Sequence, residues 1–144
     1  MWFSKKVGQA KQTVNPRTPQ TTKHRGDGAE ALALAHLLQA GLRLQTSNYR
    51  TPGRGGGEID LVMRDVDGTL VFVEVRHRAS ASHGGAGASI STTKQQRIVF
   101  AAKHYLMRIN TPPPCRFDVV LIEGALEAGS TPQMEWLRSA FDAH

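Results

Sequence analysis

Cysteine is almost absent from this chain: Cys115 stands alone among 144 residues. A lone thiol excludes an intramolecular disulfide and leaves no thiol cluster to hold zinc. Long apolar runs are missing too. MWFSKKVGQAKQ lacks the hydrophobic stretch of a secretory signal, and nothing approaches the roughly 20 apolar residues that span a bilayer. The expectation is a cytoplasmic protein with no membrane partner. Aromatic residues make up 6% of the chain and do not interleave with the basic ones, which gives little support to stacking on single-stranded bases.

What is present fits one domain with a real core. The formal charge is +6, which points to nucleic acid, but its distribution tempers the reading. Residues 1–28 hold six basic side chains against Asp27 alone, leaving +1 for the other 116 residues. Residues 1–24 are rich in Gln, Thr, Pro and Lys without an apolar period, the composition of a disordered basic tail. The ordered domain is expected over 25–144.

Within it, AEALALAHLLQAG reads as a helix ended by Gly41, with Leu34, Leu37 and Leu38 at core spacing and Asp27 as N-cap. LRLQTSNYR reads as a strand. EIDLVMRD and TLVFVEVRHR are two further strands joined as a hairpin by the turn signal DVDG. ASASHGGAGASIS is a small-residue loop of expected mobility. A helix from about Thr93 to Arg108 follows, capped by Ser91 or Thr92, with an apolar face of Ile98, Ala101, Ala102 and Tyr105. RFDVVLIEG is a buried strand, and EWLRSAF is a short amphipathic element, strand or helix. The order α-β-β-β-α-β predicts an α/β fold on a mixed sheet flanked by helices, its final core strand reached by a helical crossover.

One stretch carries a chemical question. In GRGGGEIDLVMRD, residues 53–65, four glycines run into two acids separated by one apolar residue. A phosphate-cradling P-loop needs a preceding strand, a Gly-Lys-Ser/Thr ending and a following helix. This loop ends in an acid and enters a strand, so the glycines read as a flexible approach to a site, with Arg54 free to meet a phosphate. Residues two apart on a strand share a face. Glu58 and Asp60 therefore project together, as do Glu74 and Arg76 on the next strand. Acids on strands are more often solvated and paired with Arg or Lys. Here Glu74 lies inside the apolar run LVFVEV, and a buried carboxylate needs a cation or hydrogen bonds to stay charged. Three acids against one cation leave negative charge over, which a hard divalent ion such as Mg²⁺ (or Mn²⁺) would balance.

Asp60, thirteen residues, then Glu74-Val75-Arg76 resembles the D…(D/E)-x-K signature of restriction-enzyme-like nucleases. More closely, residues 25–122 resemble the YraN-like family of bacterial proteins, whose restriction-endonuclease-like fold is related to Holliday junction resolvases. The matching pieces are RGDGAEALA, NYR, GEIDLV, LVFVEVRHR, TTKQQRI…AAKHYL and RFDVV, with an AF near the C-terminus. The resemblance implies that Asp60, Glu74 and the Val75 carbonyl hold a metal ion, with Glu58 assisting. It also places Glu30 among the catalytic acids, a role compatible with Glu30 closing a capping box on Asp27. The signature's lysine is Arg76 here. Arginine is a poor proton acceptor, although it can clamp a phosphate through two hydrogen bonds. Another group must then assist the water, with Lys94 a candidate, or hydrolysis is slow or lost. Arg76 can also act only as a partner of Asp60 or Glu74. Ala29 replaces the glycine that usually precedes the family's acid, a smaller departure.

Arg97, His104 and Arg108 fall on one arc of the second helix and, with Lys94, make a basic edge. Arg76, His77 and Arg78 close the catalytic strand with more donors. Contacts from such groups would be sequence-independent and salt-sensitive, favouring duplex or branched DNA. His77 and His83 lack the spacing of a zinc pair, and Asp118 reads as structural. The leading expectation is a metal-dependent, endonuclease-like protein acting on structured DNA. The alternative is a non-catalytic nucleic-acid-binding module on the same fold, with Arg76 marking lost hydrolysis. A third reading is an interaction scaffold docked through the basic tail. Cleavage of a symmetric junction would call for a homodimer, which nothing in the sequence specifies.

Overall fold

A computed structural model of the chain describes residues 22–79 and 90–143, with side chains from Asp27 onward. The elements in order are α1 (Thr22–Gln39), β1 (Arg43–Arg50), β2 (Glu58–Arg64), β3 (Leu70–Arg78), α2 (Thr92–Leu106), β4 (Cys115–Glu123) and β5 (Gln133–Phe141). The five strands form one sheet in sequence order. β1–β2, β2–β3 and β4–β5 pair antiparallel, whereas β3 and β4 pair parallel across the α2 crossover. A mixed sheet with one helix on each face is the expected restriction-endonuclease-like architecture. Residues 1–21 of the expected tail and the loop 80–89, including His83, lie outside the described residues.

Alternation along β3 builds both cores. Val71 and Val73 pack beneath α1 with Ala29, Ala33 and Leu37, while Leu70 and Phe72 pack beneath α2 with Ile98, Ala101 and Ala102. Alanines at both helix contacts let backbone approach sheet closely. Glycine 41 ends α1 as expected, at φ 104°, with Leu42 N–H bonded to the Leu37 carbonyl and Gly41 N–H to that of Leu38.

Several expectations change. Helix α1 begins at Thr22, inside the expected tail, so Asp27 is an interior residue and does not cap it. Leu38 is 47% exposed, because Ala29, Ala33 and Leu37, each four residues apart, take the buried stripe. Ser91 rather than Thr92 caps α2, accepting from Lys94 N–H at 3.1 Å, and the helix stops at Leu106 ahead of the prolines. EWLRSAF belongs to a strand. Its pairing depends on Asp118, fully buried on β4, which accepts from Trp136 Nε1 at 2.9 Å, from Ser139 N–H at 2.9 Å and from Arg116 Nε at 3.1 Å. Asp118 is structural, as a buried tie between β4 and the edge strand β5.

The glycine loop is docked, not a loose lead. Gly57 N–H donates to Thr51 Oγ1 at 2.9 Å, and Arg97 Nε donates to the Gly56 carbonyl at 3.3 Å. A Cβ on Gly57 would lie 1.9 Å from the Arg97 carbonyl oxygen, so only glycine lets the loop meet the α2 backbone. Gly57→Ala is expected to cost about 3 kcal/mol, read as a lower denaturation midpoint at unchanged slope. A variant as stable as wild type would mean that the loop stands clear of the helix.

Candidate active site

The site forms where β2 and β3 part. Their paired register runs from Arg64↔Leu70 to Leu61↔Val73 and ends there. Beyond it the Asp60 carboxylate replaces backbone, accepting from Val75 N–H through Oδ2 at 2.8 Å. On its other side β3 stays paired with β4 as far as Arg78↔Glu123, which fixes Glu74 on a rigid strand. Strand β2 also turns over at Asp60. Ile59 joins the α2-side core and Leu61 the α1-side core, although residues two apart ordinarily share a face.

Asp60 can therefore meet acids from both layers. Glu74 is buried and hydrogen-bonded to Asp60. Glu30, on α1, is hydrogen-bonded to Asp60 and to the side chain of Asn48. Burial, then the Asp60 charge, pushes Glu74 up to about 8, with Lys94 and Arg76 opposing. Burial, then Asp60 and Asp27, raises Glu30 to about 7. Asp60 is itself raised by burial, against the pull of the Val75 N–H, its bond to Glu74 and the Lys94 charge. All three shifts favour the protonated carboxyl, because burial and neighbouring carboxylates outweigh the nearby cations and donors.

One cation reaches the acids from α2. Lys94 Nζ lies 3.6 Å from Glu74 Oε2 and 3.9 Å from Glu58 Oε2, and Glu58 also pairs with Arg50 Nε at 3.3 Å. The Ser91 cap sets this first helical turn, so the lysine is aimed at the acids by the helix itself. Two clefts flank the pair. One of about 530 Å³ is lined by Asp27, Glu30, Asn48, Arg50, Glu58 and Asp60; the other, of about 510 Å³, by Glu74, Val75, Arg76, Ser91 and Lys94. An apolar cleft of about 290 Å³ around Val99 and Phe100 contains none of these acids.

Among the described residues no three His, Cys, Asp or Glu side chains converge into a ready-made metal cage. The residues nonetheless suit a hard divalent ion, which needs only one or two carboxylates and keeps several waters. The telling atom is Glu74 Oε1, buried and without a hydrogen-bond partner. Val75 also lines the second cleft. Its N–H points to Asp60, and a strand residue's carbonyl points to the same side as its N–H.

The expected phosphate donors divide into groups. Arg76 and Lys94 line one cleft together. Arg54 is exposed in the glycine loop that Arg97 holds against α2. Farther along, His104 Nδ1 lies 2.6 Å from Tyr49 Oη, and the Arg108 guanidinium sits 5.8 and 5.6 Å above the Tyr49 and Tyr105 rings. His77 and Arg78 are engaged elsewhere: His77 Nε2 meets the Gly124 carbonyl at 2.8 Å, and Arg78 pairs with Glu123. Ala29, on α1, packs in the core. Sequence reasoning missed Asn48 and Arg50; the NYR segment contained both, but nothing local tied them to acids on other elements.

Residues 29–122 match the family described as "Uncharacterised protein family UPF0102". The chain is 63% identical to a UPF0102 protein of Polaromonas naphthalenivorans over 157 aligned positions, covering 99% of each. It is 66% identical to one from Albidiferax ferrireducens over 123 positions, covering 85% of this chain and 91% of the relative. A UPF0102 protein of Cupriavidus pinatubonensis is 53% identical over 127 positions, covering 88% and 92%. The chain belongs to this family. Among the described residues no helix is long and apolar enough to cross a membrane.

Proposed function

We propose that this UPF0102 member is a metal-dependent endonuclease-like enzyme that hydrolyses phosphodiesters in duplex or branched DNA. The observation that carries it is the Asp60–Glu74 pair, with Glu74 buried, its Oε1 unsatisfied and Lys94 Nζ 3.6 Å from the other oxygen. Asp60, Glu74 and the Val75 carbonyl would hold Mg²⁺ or Mn²⁺, with Glu58 and Glu30 assisting. A divalent ion there would neutralise the carboxylates and make bound water more acidic. Lys94 donates hydrogen bonds that orient the attacking water, and Arg76, a poor proton acceptor, does not serve as its base. Arg76 binds the scissile phosphate, and Arg54, Arg97 and Arg108 hold flanking phosphates without reading sequence.

Labelled four-way junction, flap and linear duplex, incubated with Mg²⁺ or Mn²⁺, test the reading. Wild type is expected to cleave at least one of them. Lys94→Gln is expected to lose about 100-fold in rate, the usual weight of one positioned catalytic group. DNA binding without cleavage in either metal would instead favour a non-catalytic module on this fold, with Arg76 marking the loss.

A further inference from the structure

Asn48 breaks a rule of its own strand. Among the described residues only Asn48, at φ 53°, and Ser139, at φ 51°, are non-glycine residues in the left-handed region. Ser139 is accounted for by the bond of its N–H to buried Asp118. Asn48 sits between the ladder pairs Ser47↔Leu61 and Tyr49↔Ile59, directly opposite Asp60 and at the point where β2 turns over. Its side chain reaches Glu30, and the three residues line one cleft. Asparagine fits both demands. It tolerates the left-handed region better than other side-chain-bearing residues, and its amide can donate to a carboxylate. Strained backbone of this kind gathers at functional clefts.

We propose that Asn48 is a positioning residue. Its left-handed backbone turns β1 toward α1, and its amide holds Glu30 against Asp60, which sets how tightly the site takes a divalent cation. This inference rests on the metal-dependent reading above. Asparagine 48 touches neither substrate nor ion; it acts through Glu30, as partners behind a ligand shell do.

The test is calorimetric titration of the full chain with Mn²⁺. Asn48→Gly retains access to the left-handed region and deletes the side chain with its amide. It is expected to unfold near the wild-type midpoint and to bind Mn²⁺ about tenfold more weakly. Asn48→Ala, which lacks both features, should also lose stability. In a Glu30→Ala background, Asn48→Gly should cause no further loss of affinity, because the amide has no partner left; a general structural role would add its own loss. Wild-type affinity in Asn48→Gly, or a fully additive loss in the double variant, would overturn the inference alone. Absence of Mn²⁺ binding by the wild type would overturn it together with the reading it rests on.

Discussion

Asp60→Asn is expected to abolish metal-dependent cleavage, by on the order of 10³-fold, while leaving the fold intact or more stable. The loss corresponds to about 4 kcal/mol of transition-state stabilisation. The two effects separate because Asp60 has two tasks. Its Oδ2 accepts from Val75 N–H at 2.8 Å, which holds the parted strands together. The asparagine carbonyl oxygen can keep that bond. The negative charge, by contrast, works against the fold, since it raises both Glu74 and Glu30. Removing it relieves repulsion that Lys94 and Arg76 oppose at Glu74. Cleavage rate and thermal midpoint at pH 8 decide the matter together. Retained cleavage would remove Asp60 from the site, and a large fall in midpoint would make its carboxylate a structural group.

Without added metal, stability should fall as pH rises from about 5 to about 8. In the folded chain Glu74 is raised from 4.5 to about 8, so between those values the native state holds a proton that the unfolded chain has released. Proton binding by the native state makes stability decline with pH across that window and level off above it. A shift of this size at a nearly buried carboxyl corresponds to roughly 3–5 kcal/mol at the upper end, on the order of 10 °C in midpoint. Glu30, raised to about 7, acts in the same direction. Mn²⁺ should reverse the trend. At a hundredfold excess over its dissociation constant it would contribute about 2.7 kcal/mol at pH 8.5. At pH 5.5, where protons occupy the same oxygens, it should contribute much less. Thermal scans with and without Mn²⁺ at the two pH values measure this, and Glu74→Gln should flatten both dependences. A flat profile in wild type would show that the acids carry no unmet charge.

Much of this arrangement was legible in local sequence, because its signals were local. Gly41 after an apolar stripe, the DVDG turn and the two periods of strand and helix each follow from residues close together in the chain. What escaped depends on contacts across elements. The buried tie of Asp118 to Trp136 and Ser139 decides that EWLRSAF is extended, and no period within those seven residues could decide it. The glycines of GRGGGE looked loose because their partner, the Arg97 carbonyl, lies forty residues away on α2. In the site, Asp60, Glu74 and Glu58 were visible as a spacing. That Lys94 reaches Glu74 was only one option in the sequence, since Arg76 occupied the lysine's usual place. Asn48 carried no sequence signal beyond being a residue that tolerates left-handed backbone.

The central claim is that Asp60 and Glu74 form a divalent-cation site, and calorimetric titration with Mn²⁺ at pH 7 tests it most directly. The account predicts one ion bound per wild-type chain, with proton release into the buffer as Glu74 gives up its proton. Both the binding heat and the proton release should vanish in Asp60→Asn. No binding by the wild type at millimolar Mn²⁺, or binding that Asp60→Asn leaves unchanged, would contradict it.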